Sequence, residues 1–98
     1  MRMMLRARLD TQLASEAVKS GRMPTIMQSL YERLSPEAAY YCPVEGARGC
    51  TFVFDMQDTS QIPSIAEPFF EELGAEIDIT PVMNRDDLLQ GLQTLEQG

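Results

Sequence analysis

Histidine and tryptophan are absent from the 98 residues. Without histidine the chain has no side chain that titrates near neutrality unperturbed, no imidazole ligand for a transition metal and none of the usual nucleophilic triads. Only two cysteines are present, Cys42 and Cys50, too few for the four ligands of a structural zinc site, so neither a metal nor a cofactor is expected. A glycine-rich phosphate loop is missing as well, since Gly46 and Gly49 fall between two β-rich runs and not between a strand and a helix. The longest apolar runs are a few residues, and Arg6 and Arg8 interrupt the N-terminal segment before it could form the core of a signal peptide. Basic residues are scarce, 8 against 15 acidic, and the resulting charge of -7 repels phosphate backbones and anionic lipid. Nucleic acid and membranes are therefore not expected partners, and a cytoplasmic protein with reduced thiols is.

What is there is ordinary globular material, 44% hydrophobic and 23% charged, without a repeat, linker or low-complexity run, which sets the expectation of one domain over residues 1–98. Arg2 to Leu9 alternates Met3, Leu5, Ala7 and Leu9 against Met4, Arg6 and Arg8, the period of a strand with one fully apolar face. Asp10 and Thr11 supply an N-cap, and a helical stripe of Leu13, Ala14, Ala17 and Val18 stops at Ser20-Gly21. Pro24 opens a second helical stretch carrying Met23, Ile26, Met27, Leu30, Tyr31 and Leu34, so the first helix reads as two segments. Ala38 to Cys42 and Cys50 to Met56 form a hairpin around Glu45-Gly46, with Phe52, Val53 and Phe54 apolar on both faces as in a central strand. Asp58 with Gln61 resembles a capping box before the stripe Ile62, Ile65, Ala66, Phe69, Phe70 and Leu73, which Pro68 should bend and Gly74 should stop. Glu76 to Val82 alternates as an edge strand blunted by charge and Pro81, and Asn84 caps a last helix bearing Leu88, Leu89, Leu92 and Leu95.

The order is βαββαβ plus a C-terminal helix. Right-handed crossovers and hairpin adjacency then give an antiparallel sheet in the order 4-1-3-2, an α+β ferredoxin-like arrangement with its two main helices on one face. Three consequences follow for the other face. It is left open with Met4 and Val53 on it, which predicts a homodimer; Glu76 and Asp78 neighbour Arg6 and Arg8; and a two-residue turn pairs Tyr41 with Cys50 and Cys42 with Gly49. That register sends the two cysteines to opposite faces, whereas a loop one residue longer would set them opposite each other, within reach of a disulfide.

Several groups carry possible chemistry. Arg6 and Arg8 could hold an anion bidentately or simply balance Glu76 and Asp78. Tyr40 and Tyr41 put one phenol on each side of the sheet, where either could meet a ligand or pack. Glu67 beside Pro68 could be turned into a cleft as a general base or stay in solvent. These five residues are the candidate site. Arg48-Gly49-Cys50-Thr51-Phe52-Val53-Phe54-Asp55 partly matches an RNA-recognition strand, but Cys50 and Asp55 stand where stacking aromatics are needed.

In this ferredoxin-like arrangement the chain resembles the dimeric α/β-barrel proteins. With the runs Pro36-Glu37-Ala38-Ala39-Tyr40, Phe54-Asp55-Met56, Ser60-Gln61-Ile62-Pro63, Ala66-Glu67-Pro68 and Thr80-Pro81-Val82-Met83-Asn84 it also resembles a group of small bacterial proteins of unassigned function. That resemblance implies two ferredoxin-like subunits packed through their open sheet faces. It also implies cofactor-free monooxygenase, isomerase or haem-degrading relatives, whose activities often lean on a histidine that this chain lacks. Two functions are expected from these readings. The first is a homodimer that binds a small, partly apolar molecule between helices and sheet, catalysis undecided between monooxygenase, isomerase and none. The second is a non-catalytic regulatory or assembly module working through protein contacts.

Overall fold

The computed structural model describes residues 1–97. Its elements are β1 (Arg2–Arg8), α1 (Thr11–Lys19), α2 (Met23–Leu34), β2 (Ala38–Val44), β3 (Ala47–Asp55), α3 (Ile62–Leu73), β4 (Glu76–Pro81) and α4 (Arg85–Gln97). The boundaries follow from local chemistry. Asp10 accepts the Leu13 N–H at 2.9 Å and starts α1, and Gly21, at φ 79°, breaks the chain so that α2 restarts with Pro24 in its first turn. Glu45 at φ 47° and Gly46 at φ 82° form a two-residue hairpin turn with both centres left-handed. Such a turn leaves no loop to spare, so the two strands run right up to it and are longer than the apolar pattern alone suggests. Asp58 accepts the Ser60 N–H at 2.9 Å while Gln61 accepts the Asp58 N–H at 3.2 Å, a reciprocal cap ahead of α3 that also holds the Asp58 carboxyl below the usual carboxylate range.

The sheet order is β2-β3-β1-β4, every neighbouring pair antiparallel. This is the order expected from the connections, read from the other edge, and it makes the chain a ferredoxin-like α+β domain with its first helix split in two and a fourth helix appended. Period-2 alternation sends Met3, Leu5 and Ala7 of β1 and Cys50, Phe52 and Phe54 of β3 to the face under the helices, where they meet Ala14, Ala17, Ile26, Leu30, Ile65, Phe69 and Leu73. Phe52 is the centre of that core, edge-on to Tyr41 at 6.0 Å and to Phe69 at 6.1 Å between ring centroids. The helical stripes are buried along their middles and exposed along their flanks: Leu13, Val18, Tyr31, Ile62 and Phe70 are all partly open to solvent. One close approach locks the hairpin end. A Cβ on Gly49 would overlap Val44 Cγ2 and lie 2.9 Å from the Ala7 carbonyl oxygen, so only glycine lets β3 sit there.

Among the described residues, no helix covers the opposite sheet face. α4 begins beside it, capped by reciprocal bonds between Asn84 and Asp87 (2.8 and 3.1 Å) and tethered by Arg2, whose guanidinium reaches Asp87 at 3.1 Å and Glu37 at 2.6 Å. Both carboxylates raise the Arg2 pKa, Glu37 foremost. From there α4 projects away from the body. Leu88, Leu89, Leu92 and Leu95 are 44, 42, 46 and 77% exposed, and the molecule measures 57 × 28 × 18 Å. Its radius of gyration is 15.8 Å. A compact domain of this length would have roughly 12.5 Å.

Candidate functional site

The open face is a grid set by the strand registers. Across it run the rows Cys42-Gly49-Arg8-Glu76, Tyr40-Thr51-Arg6-Asp78 and Ala38-Val53-Met4-Thr80. Arg6, Arg8 and Tyr40 therefore share this face, and each arginine neighbours one of the two carboxylates anticipated, Arg6 beside Asp78 and Arg8 beside Glu76. Arg8 Nη1 lies 3.7 Å from Glu76 Oε2, and its buried Nε has no hydrogen-bond partner. Arg6 is exposed and, among the described residues, forms no ion pair within 4 Å of a carboxylate. The hollow beside the pair has a volume of about 180 Å³ and is lined also by Glu45, Glu76 and Asp78. Three carboxylates around two guanidinium groups leave little net attraction for an anion.

On the helix face the geometry is different. Between the hairpin end and the α1–α2 corner lies a hollow of about 390 Å³ walled by Leu9, Val18, Met23, Met27, Tyr41 and Pro43. Arg48 closes one side, held by a bond from Nη1 to Ser15 Oγ at 3.2 Å. Burial pushes the Tyr41 phenol pKa up, with the Cys50 thiol and Tyr31 adding to the effect, so at neutral pH the hydroxyl is a proton donor. Beneath, burial raises the Cys50 thiol to about 11, with Cys42 contributing less. Cys42 lies on the opposite face, exposed, and both cysteines are free.

Glu67 joins neither group. It is exposed on α3, and the groove of about 480 Å³ beside Pro68 is lined instead by Arg22, Arg33, Glu71 and Glu72. The five candidates thus fall in three places: Arg6, Arg8 and Tyr40 on the open face, Tyr41 in the apolar hollow, Glu67 on the outer helix surface. Two residues the sequence reading passed over turn out to be better placed. Arg2 is the tether of α4, and Arg48 is the cation of the apolar hollow. Arg48 was within reach of the register argument, because a turn that sends Gly49 outward must send its neighbour Arg48 inward, toward the helices.

No three histidine, cysteine or acidic side chains come together to hold a metal among the described residues, and no helix there is long and apolar enough to cross a membrane. The class these features define is a ferredoxin-like α+β domain with an apolar hollow on its covered face. No family model matches the chain, and neither does any curated protein. Among solved structures the chain is similar to the de novo designed protein Ferredog-Diesel, with 9% identity, 83% of this chain and 85% of that chain covered, and a TM-score of 0.47. The fold assignment rests on strand order and connections, to which a likeness of that degree adds nothing.

Proposed function

We propose that the protein is a homodimeric binding module whose subunits each hold a compact, partly apolar molecule with an anionic end in the hollow between helices and sheet. The observation that carries this reading is the hollow itself. Its volume of about 390 Å³ lies in the usual range of ligand sites, roughly 300 to 1,000 Å³, and its walls are aliphatic, thioether and aromatic. Met23 and Met27 can repack around differently shaped ligands. Arg48 offers the guanidinium donors not used by Ser15, and Tyr41 offers a hydroxyl beside an aromatic face. Pairing of subunits is supported by the uncovered Met4, Val53 and Ala38 on the open sheet face. The net charge of -7 argues against nucleic acid and membranes as partners, and thiols on opposite faces of the sheet suit a cytoplasmic setting.

The monooxygenase or isomerase implied by the resemblance would need an acid–base pair at the ligand. Tyr41 is there, but no carboxylate lines the hollow and Glu67 lies elsewhere, so the reading is one of binding. The test is a thermal-shift and calorimetric titration with benzoate and 1-naphthoate against their neutral alcohols. Saturable binding of the acids, weakened about tenfold or more by Arg48→Gln, is the expected result. No saturable response to any of the four would overturn it. The rival, a non-catalytic assembly module, is favoured by one observation, the exposure of Leu88, Leu89, Leu92 and Leu95 along the apolar face of α4.

A further inference from the structure

α4 is an amphipathic helix in search of a surface. Leu88, Leu89, Leu92 and Leu95 recur on one side of it, all exposed, in a chain whose other helices bury the middle of their stripes. The sheet has the complementary want: its open face carries the apolar run Ala38-Val53-Met4, with no helix over it among the described residues. We infer that α4 of one chain lies along the open sheet face of a second copy, each copy giving its helix and receiving the other's. The inference rests on the homodimer of the reading above and specifies how it is built.

Three features of the chain choose a second copy as the occupant. The first is charge. α4 bears Glu96 near its far end, with no ion pair among the described residues, while β1 presents on the open face the similarly unpaired Arg6; Arg2 and Arg8 are already engaged by Glu37, Asp87 and Glu76. The second is length: thirteen helical residues and seven strand residues both span about 20 Å, so the helix covers β1 from end to end. The third is register. With Leu92 seated on Met4 and Val53, Glu96 lies one helical turn further, about 6 Å, on the same side of the helix. Arg6 lies two residues beyond Met4 along β1, about 6.6 Å, on the same side of the strand. The unpaired guanidinium and the carboxylate flanking the leucines coincide.

The rooted end of α4 explains why the helix reaches a neighbour and not its own sheet. The Asn84–Asp87 cap and the Arg2–Asp87 ion pair hold its first turn at the Arg2 end of β1, and beyond that root its leucines stay exposed. A helix on a sheet occupies a footprint of roughly 200 Å² on each surface, and two reciprocal contacts total roughly 800 Å² before side-chain corrugation. That falls short of the roughly 1,200 Å² where stable specific interfaces begin and belongs with weak, transient contacts, so the expected dissociation constant is on the order of 100 μM.

Sedimentation velocity of the full chain across 1 to 200 μM, with far-UV circular dichroism as the check on folding, tests the inference. The parent is expected to dimerise, and Leu92→Asp to weaken the dimer at least tenfold with an unchanged spectrum. Glu96→Arg and Arg6→Glu should each weaken it, and the two together should restore at least half of the lost association. A dimer indifferent to Leu92→Asp would overturn the docking of α4 while leaving a homodimer in place. A dimer weakened by Leu92→Asp but not restored by the double exchange would overturn the register. A parent that stays monomeric throughout would overturn the inference and the homodimer together, without touching ligand binding in the hollow.

Discussion

The two faces of the sheet are made from the same four strands, yet one is finished and the other is not. Under α1, α2 and α3, Leu5, Cys50 and Phe52 have no exposed surface and Phe54 has 2%. Their neighbours in sequence, Met4, Arg6, Thr51 and Val53, face the other way and remain at least partly in solvent. The helices repeat the contrast. α3 and α4 are of similar length, both enter through a reciprocal cap and both carry an apolar stripe, but α3 buries Ile65, Phe69 and Leu73 whereas α4 buries none of its leucines. An apolar periodicity states that a face wants cover. Where the cover comes from is decided by the rest of the chain, or by another chain.

The sharpest way to probe the contrast is to truncate one large side chain on each face. Phe69→Ala, on the closed side, should cost about 3 to 5 kcal/mol in urea unfolding, and Val53→Ala, on the open side, less than about 1 kcal/mol at concentrations where the chain is monomeric. Equal midpoints would mean that the two faces are not so different in packing. A smaller effect comes from glycine. Gly49→Ala should destabilise by about 1 to 3 kcal/mol because a backbone carbonyl of β1 blocks the new methyl, while Gly91→Ala in α4, with nothing within 4 Å, should raise helicity and stability slightly, by up to about 1 kcal/mol.

The cysteines separate the faces by chemistry. Burial keeps the Cys50 thiol protonated up to about 11 in the folded chain, whereas the unfolded chain releases that proton near a pH of about 8.5. Below the lower value both states hold the proton and stability is full; as pH rises from there toward the folded value, only the unfolded state ionises and stability falls. Unfolding followed from pH 8 to 11 should show a loss of about 2 to 3 kcal/mol that Cys50→Ala removes. Iodoacetamide at pH 8 should label Cys42 and leave Cys50 untouched until the protein unfolds. The smallest effect is expected at the root of α4. Asn84→Ala should fray that helix at a local cost of about 1 kcal/mol, lowering ellipticity while leaving the urea midpoint of the closed face in place.

Much of the fold was legible because local and global signals agree in this chain. The split at Gly21, the Asp58–Gln61 box, the Gly74 stop and the Glu45-Gly46 turn each mark a boundary with a residue whose backbone or side chain requires it. The turn sets the β2–β3 register and with it the two cysteines on opposite faces, while the alternation of β1 and β4 brings Arg6 and Arg8 beside Asp78 and Glu76. The site was much less legible. Chemical attractiveness singled out Arg6, Arg8, Tyr40, Tyr41 and Glu67 one at a time, and convergence is a property of tertiary packing that no single residue announces. The apolar hollow depends on how far the α1–α2 corner stands from the hairpin, a distance set by Met23, Met27 and Val18 jointly. Arg2 was hidden for a similar reason, since its partners Glu37 and Asp87 are 35 and 85 residues away along the chain.

Both outer strands of the sheet carry a proline, Pro43 in β2 and Pro81 in β4. A proline has no N–H to offer an incoming strand, and on β4 the charged Glu76 and Asp78 stand along the same border. Lateral recruitment of one sheet by the next, the route to ribbons and fibrils, is thereby interrupted at each margin. Edge-to-edge growth of this chain into an open-ended polymer is disfavoured at both borders.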